Sequence, residues 1–387
     1  MSLFQNFLAK AKALTSQGKL MEATRAIQHG LGFDLQAEVR PKPGPDPAAK
    51  DAPLASAPAA PSPRQPQASV PPDVSDIAFR ETARPASELP SAGDIATLAP
   101  SSFTLGFFEH GPSRYAYRLF IPTRADASPL PLVVMLHGCK QDADDFAKGT
   151  AMNGLAEREK FMVLYPEQLR KANSMGCWNW FDPAHQASLK GEPAMIAALS
   201  SRVMAAQQGD TSRMYVAGLS AGAAMAALVG QLHPQTFAAV GVHSGLAPGA
   251  ASDVASAFSA MSRGPGPAAK VSAIGVPVIV FQGTGDATVA PGNADAIIQS
   301  ELSFWSSKGV KLAKSTGEEN AAGTARAATR SVWRNEDQKP LVELWSVNAG
   351  PHAWSGGDTA GSFTDPKGPS ASRAMFEFFK AHAKTPA

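Results

Sequence analysis

Ser220 stands in Gly218-Leu219-Ser220-Ala221-Gly222, a G-x-S-x-G spacing that can make a hydroxyl a nucleophile. The run before it, Met214-Tyr215-Val216-Ala217, reads as a short strand, and Ala223 to Leu228 after it is a strong helix former. A serine at such a junction sits on a sharp turn with Oγ raised above the sheet. The glycines permit the strained backbone and close packing of the flanking elements. Chance alone can supply the pattern, so its surroundings decide what it means.

A serine hydroxyl needs a base, and in this strand–turn–helix setting the chain order is serine, acid, histidine. Of eight histidines only His352 and His382 come late enough. His382 lies four residues beyond Phe378 in a helical tail and reads as solvent-facing. His352 follows the strand-like run Leu341 to Val347 in a loop, where a base could reach Ser220. For the acid, Asp286 follows Val278 to Phe281 in a Gly-rich loop; Asp295 and Glu301 are rivals on the helix that follows. Asp286 would orient the imidazole and stabilise its cation, or else merely cap its loop. The oxyanion of such a reaction needs backbone donors. The N–H of Ala221 is one, and the N–H of Cys139, in Leu136-His137-Gly138-Cys139-Lys140-Gln141, is the other. His137 is a candidate for a second base or for the substrate pocket, against the plainer role of orienting this loop.

Holding these residues requires a sheet. Phe103 to Phe107 and Tyr115 to Phe120 read as a hairpin turning at His110-Gly111-Pro112-Ser113. Buried-strand runs follow at 132–136, 161–165, 214–217, 238–242, 276–281 and 341–347, with helical segments such as Asp142 to Glu159 and Asn293 to Ser307 between them. Apolar strands alternating with helices predict an α/β fold, a mostly parallel central sheet with helices on both faces. Its reactive loops should leave the carboxyl ends of the strands.

Three segments are expected: amphipathic helices over 1–34, a Pro/Ala-rich linker over 35–100, and a catalytic α/β domain over 101–387. The linker composition cannot bury enough apolar surface to offset chain entropy, which predicts disorder. The helices could pack on the main domain, or dock on a granule, membrane surface or partner. The 387 residues are 44% hydrophobic, enough for a large core, and 35 Lys+Arg balance 33 Asp+Glu. That balance argues against nucleic acid as a partner. No run of about 20 apolar residues would span a membrane. The N-terminus lacks the basic and apolar regions of a signal peptide, which points to the cytoplasm. The two cysteines, Cys139 and Cys177, have no metal-ligand spacing, so no zinc is expected, and a serine, histidine and acid of this kind call for no cofactor.

As a set, these motifs resemble the esterase family of poly(3-hydroxybutyrate) depolymerases, which also holds feruloyl and acetylxylan esterases. The resemblance covers roughly residues 100–380. It rests on Leu136 to Gln141, Tyr165-Pro166-Glu167-Gln168, Cys177-Trp178-Asn179-Trp180-Phe181, Gly218 to Gly222, Gly283 to Val289 and Gly350-Pro351-His352-Ala353-Trp354. It implies an α/β-hydrolase fold and a Ser220, Asp286 and His352 triad hydrolysing a carboxylic ester through an acyl-enzyme. A polyhydroxyalkanoate is the first substrate class, a feruloyl or acetylxylan ester the second. The resemblance also implies a disulfide between Cys139 and Cys177, and secretion to the extracellular region. Trp178, Trp180 and Phe181 become candidates for the substrate pocket, against plain core packing. An interaction protein that keeps the fold without catalysis is the alternative of another class.

Overall fold

The computed structural model describes residues 100–124, 126–186, 190–319 and 326–384. The N-terminal helices expected over 1–34 and the linker expected up to residue 99 lie outside the described residues. An antiparallel hairpin comes first, β1 (Ser102–His110) and β2 (Ser113–Ile121), closed by the two-residue turn Gly111-Pro112. Gly111 has φ of 57°, the positive value such tight turns require.

The next strands are β3 (Leu132–Leu136), β4 (Met162–Pro166), β5 (Met214–Leu219), β6 (Ala239–His243) and β7 (Val278–Gly283). Beyond them come β8 (Ala313–Glu319), β9 (Ala328–Arg334) and β10 (Pro340–Val347), with a small parallel pair, β11 (Trp354–Ser355) and β12 (Thr364–Asp365). The main sheet has ten strands in the order β1-β2-β4-β3-β5-β6-β7-β10-β9-β8. Its central six are parallel, and antiparallel pairs extend it at both edges.

Helices cover both faces because the strands are apolar on both. Along β3, Leu132, Val134 and Leu136 enter one core, while Val133 and Met135 enter the other. This is the two-residue alternation of a pleated strand. The first core packs against α3 (Gly191–Gln207), α4 (Ala221–Leu232) and α6 (Gly292–Ser307), with α5 (Val254–Arg263) at its margin. The second packs against α1 (Ala143–Thr150), α2 (Met152–Glu159) and α7 (Ala371–Lys380). No helix among the described residues is long and apolar enough to cross a membrane.

Two local expectations need correction. The single helix expected from Asp142 to Glu159 is broken at Ala151, which takes φ 50° and ψ 24°. Two contacts of Thr150 accompany the break: its Oγ1 bonds back to Phe146 O, and its carbonyl accepts from Ser372 Oγ of α7 at 2.7 Å. Strands β8 and β9 had no counterpart among the expected elements. Ala313 to Glu319 is polar and almost wholly exposed, so an edge strand there shows no apolar alternation.

The topology places a crevice where a site is needed. From β3 the chain crosses to β4 on one side, then returns to β5 on the other. That reversal leaves a gap between the carboxyl ends of β3 and β5, where ligands of open α/β sheets bind. Leu136 pairs with Gly218 at this edge, so the loops after both strands open into the same gap.

Candidate active site

Ser220 follows β5 directly and caps α4, with φ 58° and ψ −121°. That conformation is rare for a residue with a side chain, and its strain is held by packing. Gly222 shows why: a Cβ there would lie 2.1 Å from Leu136 O and 2.5 Å from His137 O. Both obstacles are backbone, so only glycine lets α4 start against the loop after β3. The Ser220 N–H donates to His243 O at 2.9 Å, fastening the turn to β6.

His352 and Asp286 meet from different strands. The loop after β10 passes over the loop after β7, and a Cβ on Gly283 would lie 2.2 Å from Gly350 O. Thr284 Oγ1 accepts the Ala349 N–H at 2.8 Å and ties the two loops further. His352 Nδ1 then donates to Asp286 Oδ2 at 2.8 Å. Asp286 Oδ1 accepts the N–H groups of Thr288 at 2.9 Å and Val289 at 2.8 Å. Burial opposes the Asp286 charge, but the hydrogen bond and charge of His352 and these two amides outweigh it. The carboxyl is held below its usual range. An ionised Asp286 keeps the proton of His352 on Nδ1, leaving Nε2 free to accept one. Among the described residues, no hydrogen bond reaches Ser220 Oγ or His352 Nε2. The Asp286 side chain is fully buried, while that of His352 keeps 13% exposure.

The candidate anion donors also lie together. In the loop after β3, Gly138 N–H donates to Gln141 Oε1, Gln141 N–H to Gly138 O, and Lys140 N–H to Met175 O. Among the described residues, the Cys139 N–H has no acceptor, and neither has the Ala221 N–H at the head of α4. A Cβ on Gly138 would lie 3.7 Å from Ser220 Cβ, so this loop borders the serine. Cys139 is disulfide-bonded to Cys177, across a sequence separation of 38. Closing a loop of that length contributes about 4 kcal/mol in the chain-entropy account.

Comparison with known proteins bears on these residues. The family described as Esterase PHB depolymerase matches residues 115–327, more than half of the chain. This chain belongs to the Esterase PHB depolymerase family. The matched span includes Ser220 and Asp286; His352 lies beyond it. Poly(3-hydroxyalkanoate) depolymerase C of Paucimonas lemoignei is 28% identical over 277 residues, covering 67% of this chain and 60% of the relative. Feruloyl esterase B of Thermothelomyces thermophilus is 29% identical over 161 residues, covering 41% and 54%. The chain therefore spans between about half and three-fifths of the length of these relatives. An acetyl xylan esterase from Aspergillus awamori superposes with a TM-score of 0.53 at 17% identity, covering 72% of this chain and 99% of that one. That likeness is one of fold.

The other expected residues of this chain have different surroundings. His382 is buried, a correction to its solvent-facing reading. Its ring faces Phe378 O at 2.8 Å and Pro340 O at 2.7 Å, and its carbonyl accepts from Tyr215. Pro340 begins β10 and Tyr215 is near the start of β5, so His382 sits at the amino ends of the strands, away from Ser220. Glu301 is buried on Ile274 and Gly275 amides, and Asp295 is exposed on α6.

Trp178 and Trp180, expected in the pocket, are 0% and 5% exposed and belong to the core. Trp178 packs on His137, with ring centroids 5.6 Å apart. His137 is buried as well, and its contacts serve the loop. Its Nε2 accepts the Gln168 N–H at 3.2 Å, so Nδ1 carries the proton and donates to Gly138 O at 2.8 Å. Gly138 O belongs to the peptide whose N–H is that of Cys139, so His137 sets that amide's plane. Burial keeps the imidazole neutral, its pKa down to about 4.

Gln141 carried no role in the sequence reading. It joins the loop after β3 to the segment after His352, donating to Asp145 at 2.9 Å and Ser362 O at 3.1 Å. Its place in the Leu136 to Gln141 motif was the available signal.

Proposed function

We propose that this chain is a carboxylic ester hydrolase working through an acyl group on Ser220. The observation that carries the reading is the Asp286–His352 pair, 2.8 Å apart, at the carboxyl ends of the strands, where Ser220 is held in its strained turn. Ser220 Oγ attacks the ester carbonyl carbon while His352 Nε2 takes the hydroxyl proton. The resulting oxyanion is received by the N–H groups of Cys139 and Ala221, each such donor stabilising it by about 3–4 kcal/mol. Collapse breaks the bond to the alkoxy oxygen, which leaves with the proton from His352. Water then repeats the sequence on the acyl-serine, His352 taking its proton and returning it to Ser220 Oγ.

For the substrate, we favour polyesters or oligomers of short hydroxyalkanoic acids, supported by the long match to poly(3-hydroxyalkanoate) depolymerase C. A feruloyl or acetylxylan ester is the second reading, supported by the shorter matches to feruloyl esterase B and to the probable acetylxylan esterase A of Aspergillus clavatus. The test is a panel of 3-hydroxybutyrate oligomers, methyl ferulate and acetylated xylan, run with the wild-type protein and Ser220→Ala. The expected result is turnover of the oligomers, lost at least about 10⁴-fold in Ser220→Ala with its thermal midpoint unchanged. Preference for ferulate or acetylxylan would favour the second reading. Full activity in Ser220→Ala would sink the mechanism, and activity on none of the three would sink both substrate readings and leave the interaction-protein alternative.

A further inference from the structure

His243 ends β6, the strand lying between β5, which leads to Ser220, and β7, which leads to Asp286. Its side chain is 1% exposed and takes no part in the reaction above. Yet it grips both halves of the site. Its main-chain carbonyl accepts the Ser220 N–H at 2.9 Å. Its ring Nε2 accepts the N–H of Ser355, three residues beyond His352, at 3.0 Å.

The ring has little freedom. A backbone N–H can only donate, so Nε2 is unprotonated and Nδ1 carries the proton toward Ser244 Oγ at 3.2 Å. Phe281 and Trp354 stack on the imidazole, with centroids at 5.6 and 5.1 Å. Trp354 is itself fixed through Nε1, which donates to Ser372 Oγ at 3.0 Å. Burial keeps the imidazole neutral, its pKa down to about 3, with His352 pushing the same way and Asp286 opposing. The Ser355 bond therefore survives any ordinary change of pH.

The Asp286–His352 bond orients the base relative to β7. It does not set the distance from that base to a serine two strands away, on β5. We infer that His243 is a positioning residue that sets this approach, holding the Ser220 peptide with its carbonyl and the His352 loop with its ring. The inference rests on the acyl-serine reading proposed above.

His243→Phe keeps ring volume and stacking but removes the acceptor for Ser355, and His243→Gln restores an acceptor at similar reach. The readouts are steady-state hydrolysis of a soluble 3-hydroxybutyrate oligomer and the rate at which a fluorophosphonate labels Ser220. For His243→Phe the expected result is a kcat lowered about 10- to 100-fold, the scale of a misplacement of about 1 Å, with KM little changed. Labelling should slow in parallel, and His243→Gln should recover most of both. If His243→Phe fails to fold, His243→Asn replaces it, because its shorter amide falls short of Ser355 while Gln reaches. Wild-type kcat in His243→Phe would overturn the inference, as would equal rates in Asn and Gln or a loss that Gln does not repair. A wild-type protein that is neither active nor labelled would refute the acyl-serine reading and this inference with it. An active wild type with an equally active His243→Phe refutes the role of His243 alone.

Discussion

Asp286 shows how much one carboxylate can organise. One oxygen accepts two amides of its own loop and the other accepts His352 Nδ1 at 2.8 Å. Asp286→Asn keeps the shape but removes the charge that holds the imidazole proton on Nδ1. In Ser-His-Asp enzymes the corresponding loss of tautomer control costs about 10⁴-fold in kcat. The same fall is expected here at neutral pH, with KM and the thermal midpoint close to wild type. A fall under tenfold would mean that the carboxylate mainly braces its loop, the capping role that the sequence also allowed.

At the scale of elements, the contact between the start of α4 and the loop after β3 sets the site. Replacing glycine by alanine inside a helix normally stabilises it, by about 1 kcal/mol. Gly154 in α2 is an ordinary case, since a Cβ there would meet only Arg158 Nη1 at 3.7 Å. Gly222 should behave oppositely. Its Cβ would strike the last carbonyl oxygen of β3 and the first of the loop that carries the Cys139 amide, and neither can yield without moving that loop. Gly222→Ala is expected to lower stability by about 1–3 kcal/mol and to reduce kcat. Gly154→Ala should raise stability and leave kcat alone. Urea unfolding of the two variants, beside their turnover, checks both signs. Equal effects would remove the close-approach explanation of the motif.

At the scale of the whole molecule, α6 is seated beside the entry to β7 by a buried carboxyl. Glu301 accepts the N–H groups of Ile274 and Gly275, and burial pushes its pKa up to about 7 although those donors oppose the rise. An unfolded glutamate titrates near 4.3. A pKa raised in the folded state means that the fold binds the proton more tightly than the unfolded chain does. Its stabilising contribution is therefore complete below about pH 4 and lost as pH rises through about 7. The urea midpoint should fall between pH 5 and pH 8, and Glu301→Gln should remove most of that slope. A slope unchanged in Glu301→Gln would show that other groups control it.

What the sequence determined by itself was local. Continuous apolar runs marked the six central parallel strands, because a strand buried on both faces leaves a compact hydrophobic signal. The Gly218 to Gly222 spacing, with strand and helix on either side, marked the turn at Ser220. The Gly-rich loop after β7 and the loop after β10 marked Asp286 and His352 as candidates, by chain order alone. Where a signal depended on distant partners, the sequence was silent or misleading. Beside the break at Ala151, the Thr150 carbonyl accepts from Ser372, more than 200 residues away. The edge strand β8 is polar because it packs on little, and its backbone pairing with β9 leaves no pattern in the side chains. His382 looked exposed from a helical tail, but it is folded against the amino end of β10. Only the tertiary structure decided that Trp178 and His137 support the loop from within, and that His243 joins the serine turn to the histidine loop. The physical reason is common to all of these. A residue's type limits the hydrogen bonds it can make, but which partner it meets is set by strand order and loop crossings that bring distant segments together.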